Sequence, residues 1–584
     1  MDQNLIRVGT SNFRKLVSSD GITADLNRLF IDKTLFIKDF IDHSNDVILI
    51  TRPRRWGKSS ILSMLQHFFT KELEGLTTKG LFENLKIAQY LKDPKYQKYQ
   101  GSYPIILITF KNLKGNNFIE IREKVQKTIA KLYRDFQYIL DSDLIDRTMK
   151  EIFIKILEEK GSNADLTDSL RFLTELLTKY HNNKVFVLID EYDNAINEAF
   201  NNANLLTELT DFFSDLLGSC LKDNDSYLEK GLVTGILRVA KANIFSGLNN
   251  PTEETILDYK FSDYYGFTEE EVNKLLKQAN ILDKQAIKEW YNGYIVGNNT
   301  VYNPWSIMQC IDHNGDLELY WVNSANPEIL KDLLINKSSL EDKQKIRNLI
   351  KYKETKLEIA LKKQVAFEDL HNNPSIIWSL LIHTGYLTLI NKNDKYNVRL
   401  PNKEVALLIK DYIDNWFIER PFLSKTANSL LIGDFIKFEE ALKEIFSDPA
   451  YSARIFSGGG RSAKTLAIET AKEFMYQFLI MTELRCINLA GNSEIEAFAE
   501  IEDVSQGKTR PDLLVVNHKQ KLCVVGEIKV SFKENEDLNK IAKEIAIQQI
   551  NRNNYAKLYT EKYGYKILKL GIAFRGDNFG IAYE

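Results

Sequence analysis

The 584-residue chain is poor in cysteine: only Cys220, Cys310, Cys486 and Cys523, widely spaced and without a C-x-x-C pair. That spacing excludes a disulfide scaffold and a thiolate zinc site, and a reducing cytoplasm is the compartment it predicts. The seven histidines are scattered, and none is assigned to a metal. Charge of one sign is not in excess, since 77 Lys and Arg face 80 Asp and Glu for a net charge of −3. A global attraction to nucleic acid is thereby excluded, and any such binding would use a local patch. No run approaches the about 18 apolar residues of a membrane span, and the start, MDQNLIRVGTSNF, lacks a basic stretch followed by an apolar one, so neither a membrane segment nor a signal peptide is expected. Repeats and low-complexity tracts are also missing. What is present, 44% hydrophobic and 27% charged residues, is the make-up of an ordinary soluble protein long enough for about two to four domains.

Residues 46–69, DVILITRPRRWGKSSILSMLQHFF, organise the first part of the chain. They read as a short apolar strand, a tight basic loop and an amphipathic helix, the order a phosphate-binding loop requires. A loop at a helix N-terminus aims backbone N–H groups and the positive end of the helix dipole at an anion. Gly57, Lys58, Ser59 and Ser60 form its core; Lys58 would reach the outer phosphates, and the Ser59 hydroxyl would ligate Mg²⁺. The pattern G-x-x-x-x-G-K-[ST] asks for Gly at position 52, where this chain has Arg52. Arg54 and Arg55 lie inside the loop and are read as phosphate contacts, although they could also only pack and face solvent.

A nucleotide-hydrolysing site needs a second acidic strand beside the loop, and VFVLIDEYD at 185–193 supplies one. Asp190 would help hold Mg²⁺, and Glu191 would polarise the attacking water. Taken alone, acidic residues commonly end buried strands simply because strands end at the surface. Thr234, at the end of the apolar run 231–237, stands where a polar group could sense the γ-phosphate, and Arg238 could add charge one turn later. A structural role for both is the competing reading. Further runs at 47–51 and 105–110, with helical patterns at 117–160 and elsewhere between them, predict strands alternating with helices, hence a parallel sheet with both faces covered. Beyond 260 the texture changes. TEEE at 268–271 is a capping box, residues 290–305 suggest a small hairpin, and 306–418 read as mostly helical.

The last part holds two short strands, 512–516 and 522–529, joined by the polar turn 517–520, then a helix around 540–559 and a final strand at 568–574. Asp512, fourteen intervening residues, and Glu527-Ile528-Lys529 form its chemical constellation. Side chains alternate along a strand, so Glu527 and Lys529 share a face that Asp512 can approach from the partner strand. Two carboxylates with the Ile528 carbonyl could hold Mg²⁺, and Lys529 could orient a metal-bound water for attack on a phosphodiester. A solvated salt-bridged face is the plainer alternative, but Glu527 sits inside the apolar run CVVGEIKV, where an unpaired charge is costly. GGGRSAKT at 458–465 is near a second phosphate loop in sequence, but no acidic strand follows it and it reads as a plain loop.

The segments FIDKTLFIKDF, ITRPRRWGKSSILSML, VLIDEYDNAI, GILRVAKANIFSGLNN, YYGFTEEEV, WYNGY and VYNPWSI resemble the predicted AAA-ATPase-like domain commonly joined to a PD-(D/E)XK nuclease-like domain in bacterial proteins. RPDLLVV, CVVGEIKV, AIQQINRNNYAKLY and KLGIAF resemble that nuclease-like partner. The resemblance implies that Arg52 is a family habit, and it adds two auxiliary residues, Glu473 as a further metal ligand and Gln549 as a polar group facing the site. It implies an α/β protein: a P-loop NTPase parallel sheet over 1–260, a helical lid and accessory domain over 261–420, and an α/β PD-(D/E)XK nuclease-like domain over 421–584. The expected cofactors are ATP and Mg²⁺, with Mn²⁺ able to serve the nuclease site. The expected function is an ATP-binding and ATP-hydrolysing protein whose endo- or exonuclease cuts DNA or another nucleic acid under nucleotide control. The alternative is a nucleotide-dependent switch or scaffold that binds nucleic acid or a partner without cutting. AAA-type domains often form rings, so a homo-oligomer is among the implied partners.

Overall fold

The computed structural model describes residues 6–199, 202–222, 224–239, 252–321, short stretches between 330 and 365, and then 376–390, 397–418, 429–447, 495–498, 511–533, 535–553, 555, 560–561, 563–575 and 578–584. The chain divides into two compact units, Met1–Lys410 and Asp411–Glu584. Among the described residues, no helix is long and apolar enough to cross a membrane.

The first unit is built on a five-stranded, all-parallel sheet of β1 (Val47–Thr51), β2 (Ile105–Thr109), β3 (Val185–Asp190), β4 (Leu228–Gly235) and β5 (Thr252–Glu254), in the order β2-β3-β4-β1-β5. Every residue of β1 and β3 is buried. That is why these strands read as unbroken apolar runs rather than alternating ones, for both faces are covered. The long helices around it are α1 (Lys58–Phe69), α2 (Phe118–Arg134), α3 (Arg147–Leu157), α4 (Asn163–His181) and α5 (Ala203–Leu221). Leu49, Ile106, Val187 and Ile189 of the sheet share one core with Val125 and Ile129 of α2, Leu173 of α4 and Phe213 of α5. Phe69, at the end of α1, stacks on Phe186 of β3 with ring centroids 4.0 Å apart. The stretch 117–160, expected as one helix, is two, because Asp146 caps a fresh N-terminus by accepting from the Met149 N–H.

After the sheet, α6 (Glu269–Gln278) opens with the expected capping box of Thr268 and Glu271. The expected hairpin is β6 (Tyr294–Val296) with β7 (Asn299–Val301), and α7 (Pro304–Asp312) follows with Asn303 as its cap. Farther on lie α8 (Ile377–His383) and α9 (Lys403–Ile418), but this part is not purely helical: Glu354–Lys356, Thr388–Leu389 and Asn397–Arg399 form a small antiparallel sheet. Of residues 261–420, read from sequence as lid and accessory domain, 261–410 share one compact unit with the parallel sheet.

The second unit carries a mixed sheet of β8 (Ile495–Phe498), β9 (Leu513–Asn517), β10 (Leu522–Val530), β11 (Lys566–Arg575) and β12 (Asn578–Tyr583), in that spatial order. The β10–β11 pair is parallel and the other pairs are antiparallel. A parallel pair needs a crossover, and a helical segment running from Leu538 to Asn553 provides it. Gly571 admits that helix closely, since a Cβ there would lie 2.3 Å from the Ala542 carbonyl oxygen. On the other face, Phe435, Phe438 and Leu442 of α10 (Phe435–Ser447) pack against Leu513, Val515, Val524 and Ile572. The strands β5, β8 and β12 were not expected from sequence. Glu473 and the 458–465 loop lie outside the described residues.

Candidate functional site

Strand β1 ends at Thr51, the loop 52–57 turns, and α1 begins at Lys58 with Gly57 as its N-cap at φ +82°. That left-handed backbone is the reason for glycine at the position. Lys58 Nζ donates to the carbonyls of Arg52 at 2.9 Å and Pro53 at 2.8 Å, so the ammonium lies across the mouth of the loop. Burial pulls its pKa down while the Asp190 carboxylate opposes the shift. The Ser59 hydroxyl donates to Asp190 Oδ2 at 2.5 Å, and the Thr234 hydroxyl donates to Asp190 Oδ1 at 2.7 Å. Three consecutive elements of the sheet order, β3, β4 and β1 with its helix, thus meet on one carboxylate. Thr234, expected opposite the γ-phosphate, is completely buried behind Asp190 and positions it. The register that pairs Ile189 with Val233 sets the next two residues, Asp190 and Thr234, side by side.

The remaining residues of the DEYD stretch divide the work. Glu191 adopts φ +52°, a conformation that costs a non-glycine residue about 1–3 kcal/mol, and it faces a cavity of about 640 Å³ next to the loop. Burial, reinforced by Asp190, pushes its carboxyl pKa up. The Tyr192 hydroxyl donates to the Leu237 carbonyl at 3.0 Å and accepts from the Val239 N–H at 3.1 Å. Asp193 accepts from the N–H groups of Ile236 and Leu237, both at 2.9 Å. Tyr192 and Asp193 therefore hold the chain leaving β4. Sequence reasoning passed over both, although an acid following a buried strand by three residues is the visible signal. Arg238, expected to supply charge to a phosphate, pairs instead with Glu253 of β5 at 3.1 Å and does not line the cavity.

Arg52 has a different task from the glycine it replaces. It is fully buried, its Nη1 donates to the carbonyls of Thr51 and Glu254, both at 2.8 Å, and its guanidinium lies 5.2 Å from the Tyr265 ring centroid. It ties the end of β1 to the edge strand β5, with its back to the loop. Arg54, Arg55, Lys58, Ser59, Ser60 and Glu191 line the cavity together with Gly57. The Ser59 hydroxyl and the Asp190 carboxylate are adjacent hard-oxygen donors at a helix N-terminus, a donor set that fits Mg²⁺.

Residues 7–245 match the family model described as a predicted AAA-ATPase. A curated relative, an uncharacterized protein encoded in the vnfD 5′ region of Azotobacter chroococcum mcd 1, is 23% identical over 429 residues, which is 72% of each chain. The Walker-type ATPase of Pyrococcus abyssi aligns with 68% of this chain and 97% of its own, at 13% identity and a TM-score of 0.32, a likeness too slight to draw on. The loop, Arg52 included, and the DEYD stretch both fall inside the residues this family model matches.

Outside that match, the second unit gathers Asp512, Glu527 and Lys529. The register pairs Leu513 with Gly526, which sets Asp512 opposite Glu527. Asp512 Oδ2 accepts from the Ile528 N–H at 2.7 Å, so Ile528, expected to offer its carbonyl, meets the site through its amide. Lys529 Nζ lies 3.3 Å from Glu527 Oε2, while Glu527 itself is 1% exposed and its Oε1 has no hydrogen-bond partner. Burial, with the Asp512 charge added, pushes the Glu527 carboxyl pKa up, and Lys529 opposes this. Gln549 and Asn553 donate to the Tyr555 hydroxyl at 3.4 and 2.6 Å, and Tyr555 acts in turn on Glu527. Sequence reasoning named Gln549 but missed Asn553, one turn on along the same helical face, and Tyr555, which lies beyond the helix end. Among the described residues, no group of three or more His, Cys, Asp or Glu gathers as a metal cage. The chemistry that fits a divalent cation here is narrower: two facing carboxylates, one with a bare buried oxygen.

Proposed function

We propose that the first unit binds ATP with Mg²⁺ at the Gly57-Lys58-Ser59 loop and hydrolyses it. The observation that carries this reading is the Ser59–Asp190–Thr234 chain of hydrogen bonds at the N-terminus of α1. Lys58 exchanges its two carbonyl partners for phosphate oxygens, and the first N–H groups of α1 add the helix-terminal charge. Asp190 and Ser59 would hold Mg²⁺, which supplies neutralisation of phosphate charge. Glu191 takes the proton of the attacking water, and burial beside Asp190, which raises its pKa, makes it a stronger base than a free carboxylate. Arg54 and Arg55 stand at the cavity wall as phosphate contacts. Phosphate release by the full chain tests this: Glu191→Gln should keep ATP binding and lose about 100-fold in hydrolysis. Absence of ATP binding by the unaltered protein would remove the proposal, and normal hydrolysis by the variant would remove the base.

For the second unit we propose metal-dependent phosphodiester cleavage, with DNA as the first substrate to try. Its support is the buried Glu527 oxygen without a partner beside Asp512 and Lys529. Asp512 and Glu527 would hold Mg²⁺ or Mn²⁺, and Lys529 would orient the attacking water. Control of cleavage by nucleotide rests on both sites being in one chain. Plasmid and linear DNA incubated with Mg²⁺ or Mn²⁺, with and without ATP, make the test. Uncut DNA throughout, with retained DNA binding, would assign the unit to scaffold work; equal cutting by Lys529→Ala would remove the site.

A further inference from the structure

We infer that the chain beyond the AAA-ATPase-like match completes the nucleotide site by supplying an apolar wall for an adenine base, with Trp305 at its centre. The inference rests on the nucleotide reading above and says which residues read the base. The cavity lined by the phosphate loop is also lined by Val8, Ile31, Phe267, Trp305 and Met308. All five belong to the rim of one hydrophobic core, packed against residues such as Val272, Leu275 and Ile307 but left only partly buried. Core-rim side chains that turn their uncovered surfaces into one cavity form a surface for a flat apolar ring.

Three of the five, Phe267, Trp305 and Met308, lie beyond residue 245, where the family match ends. The Trp305 ring is fixed in place, since its Nε1 donates to the Tyr320 carbonyl at 3.0 Å. The Arg55 guanidinium sits 4.2 Å from the same ring's centroid, so a phosphate-loop residue touches the wall directly. The loop is gripped by the same region elsewhere: Trp56 meets Tyr294 edge-on at 5.1 Å, and Trp321 Nε1 donates to the Arg54 carbonyl at 3.0 Å.

The electrostatics choose the base. Glu191 is the sole acidic side chain among the described residues lining the cavity, and it stands at the phosphate end. Guanine presents two adjacent donors, N1–H and the N2 amino group, that call for a carboxylate. Adenine presents a donor beside an acceptor on that edge and calls for no carboxylate.

Calorimetric titration of the full chain with ATP, GTP and inorganic tripolyphosphate, each with Mg²⁺, tests the inference. The unaltered protein should bind ATP at least about tenfold more tightly than either other ligand, as stacking of a base on an aromatic ring would give. Trp305→Ala should lose about tenfold for ATP and leave tripolyphosphate unchanged, with Trp305→Phe restoring most of the loss. Phe267→Ala is the second variant should Trp305→Ala not fold, with a smaller loss in the same pattern. Equal affinity for ATP and tripolyphosphate overturns the wall, equal affinity for ATP and GTP overturns the choice of adenine, and parallel loss of ATP and tripolyphosphate in Trp305→Ala reduces that residue to a support for the loop. Lys58→Ala separates the two readings: loss of both ligands there, with intact base discrimination in the unaltered protein, upholds the phosphate site. Binding of neither ligand by the unaltered protein overturns the nucleotide reading and this inference with it.

Discussion

Asp190 and Glu527 are both buried carboxylates at sheet positions, yet their surroundings are opposite. Asp190 has a hydroxyl on each oxygen, from Ser59 and from Thr234. Glu527 has one oxygen near Lys529 and the other bare, with a second carboxylate facing it across the hairpin. On the proposed readings, Mg²⁺ at the first site would arrive with a nucleotide that replaces the lost hydrogen bond, whereas a cation alone would relieve the second. A buried acid is thus informative through its partners rather than its burial.

The widest separation between the sites should come from Lys58→Ala, which removes the loop's point charge. ATP hydrolysis, followed by phosphate release, should fall by about 100- to 1,000-fold, with amide exchange of β10 unchanged. Next in size is the response to metal without nucleotide. Mg²⁺ at about 100 times its dissociation constant should stabilise the second site by about 2.7 kcal/mol, seen as slower hydrogen exchange in β10, and Glu527→Gln should abolish the response. Exchange around Asp190 should move only when ATP is added with the metal; a response to Mg²⁺ alone there would break the contrast. Arg52→Gly, which restores the familiar loop pattern, should lower stability by about 2–3 kcal/mol in denaturant titration, because it removes a buried side chain and two hydrogen bonds. The smallest effect belongs to Thr234→Val. Losing one donor on Asp190 should slow hydrolysis by about tenfold and change ATP affinity by less than about threefold.

Much of the first site was legible because its signals are local. The strand, loop and helix of 46–69 and the acidic end of 185–190 are contiguous patterns, and the sheet register then joins them. Arg52 was not legible in the same way. Its partners, Glu254 and Tyr265, lie some two hundred residues later, and nothing in a short window distinguishes a phosphate-facing arginine from one buried under an edge strand. Thr234 was found but given the wrong neighbour, since a strand-end hydroxyl can point at a ligand or at the next strand, and only register decides. Strand β5 escaped because its three residues, Thr252–Glu254, carry two acids and no apolar run; pairing with β1 makes it a strand. In the second unit, the alternation along CVVGEIKV exposed Glu527 and Lys529. Tyr555, beyond the helix end, follows no period that would reveal it.

The place of β1 between two strands that come late in the chain also sets a timetable for synthesis. Val47 pairs with Gly231 and Ile48 with Thr252, so the strand emerges from the ribosome long before either neighbour exists. At about 5–20 residues per second, its partners follow about 10–40 s later. Throughout that interval, VILIT, a strand wholly buried in the finished sheet, has both edges open. Slowing translation between residues 51 and 228 should therefore raise aggregation more than slowing it after residue 254.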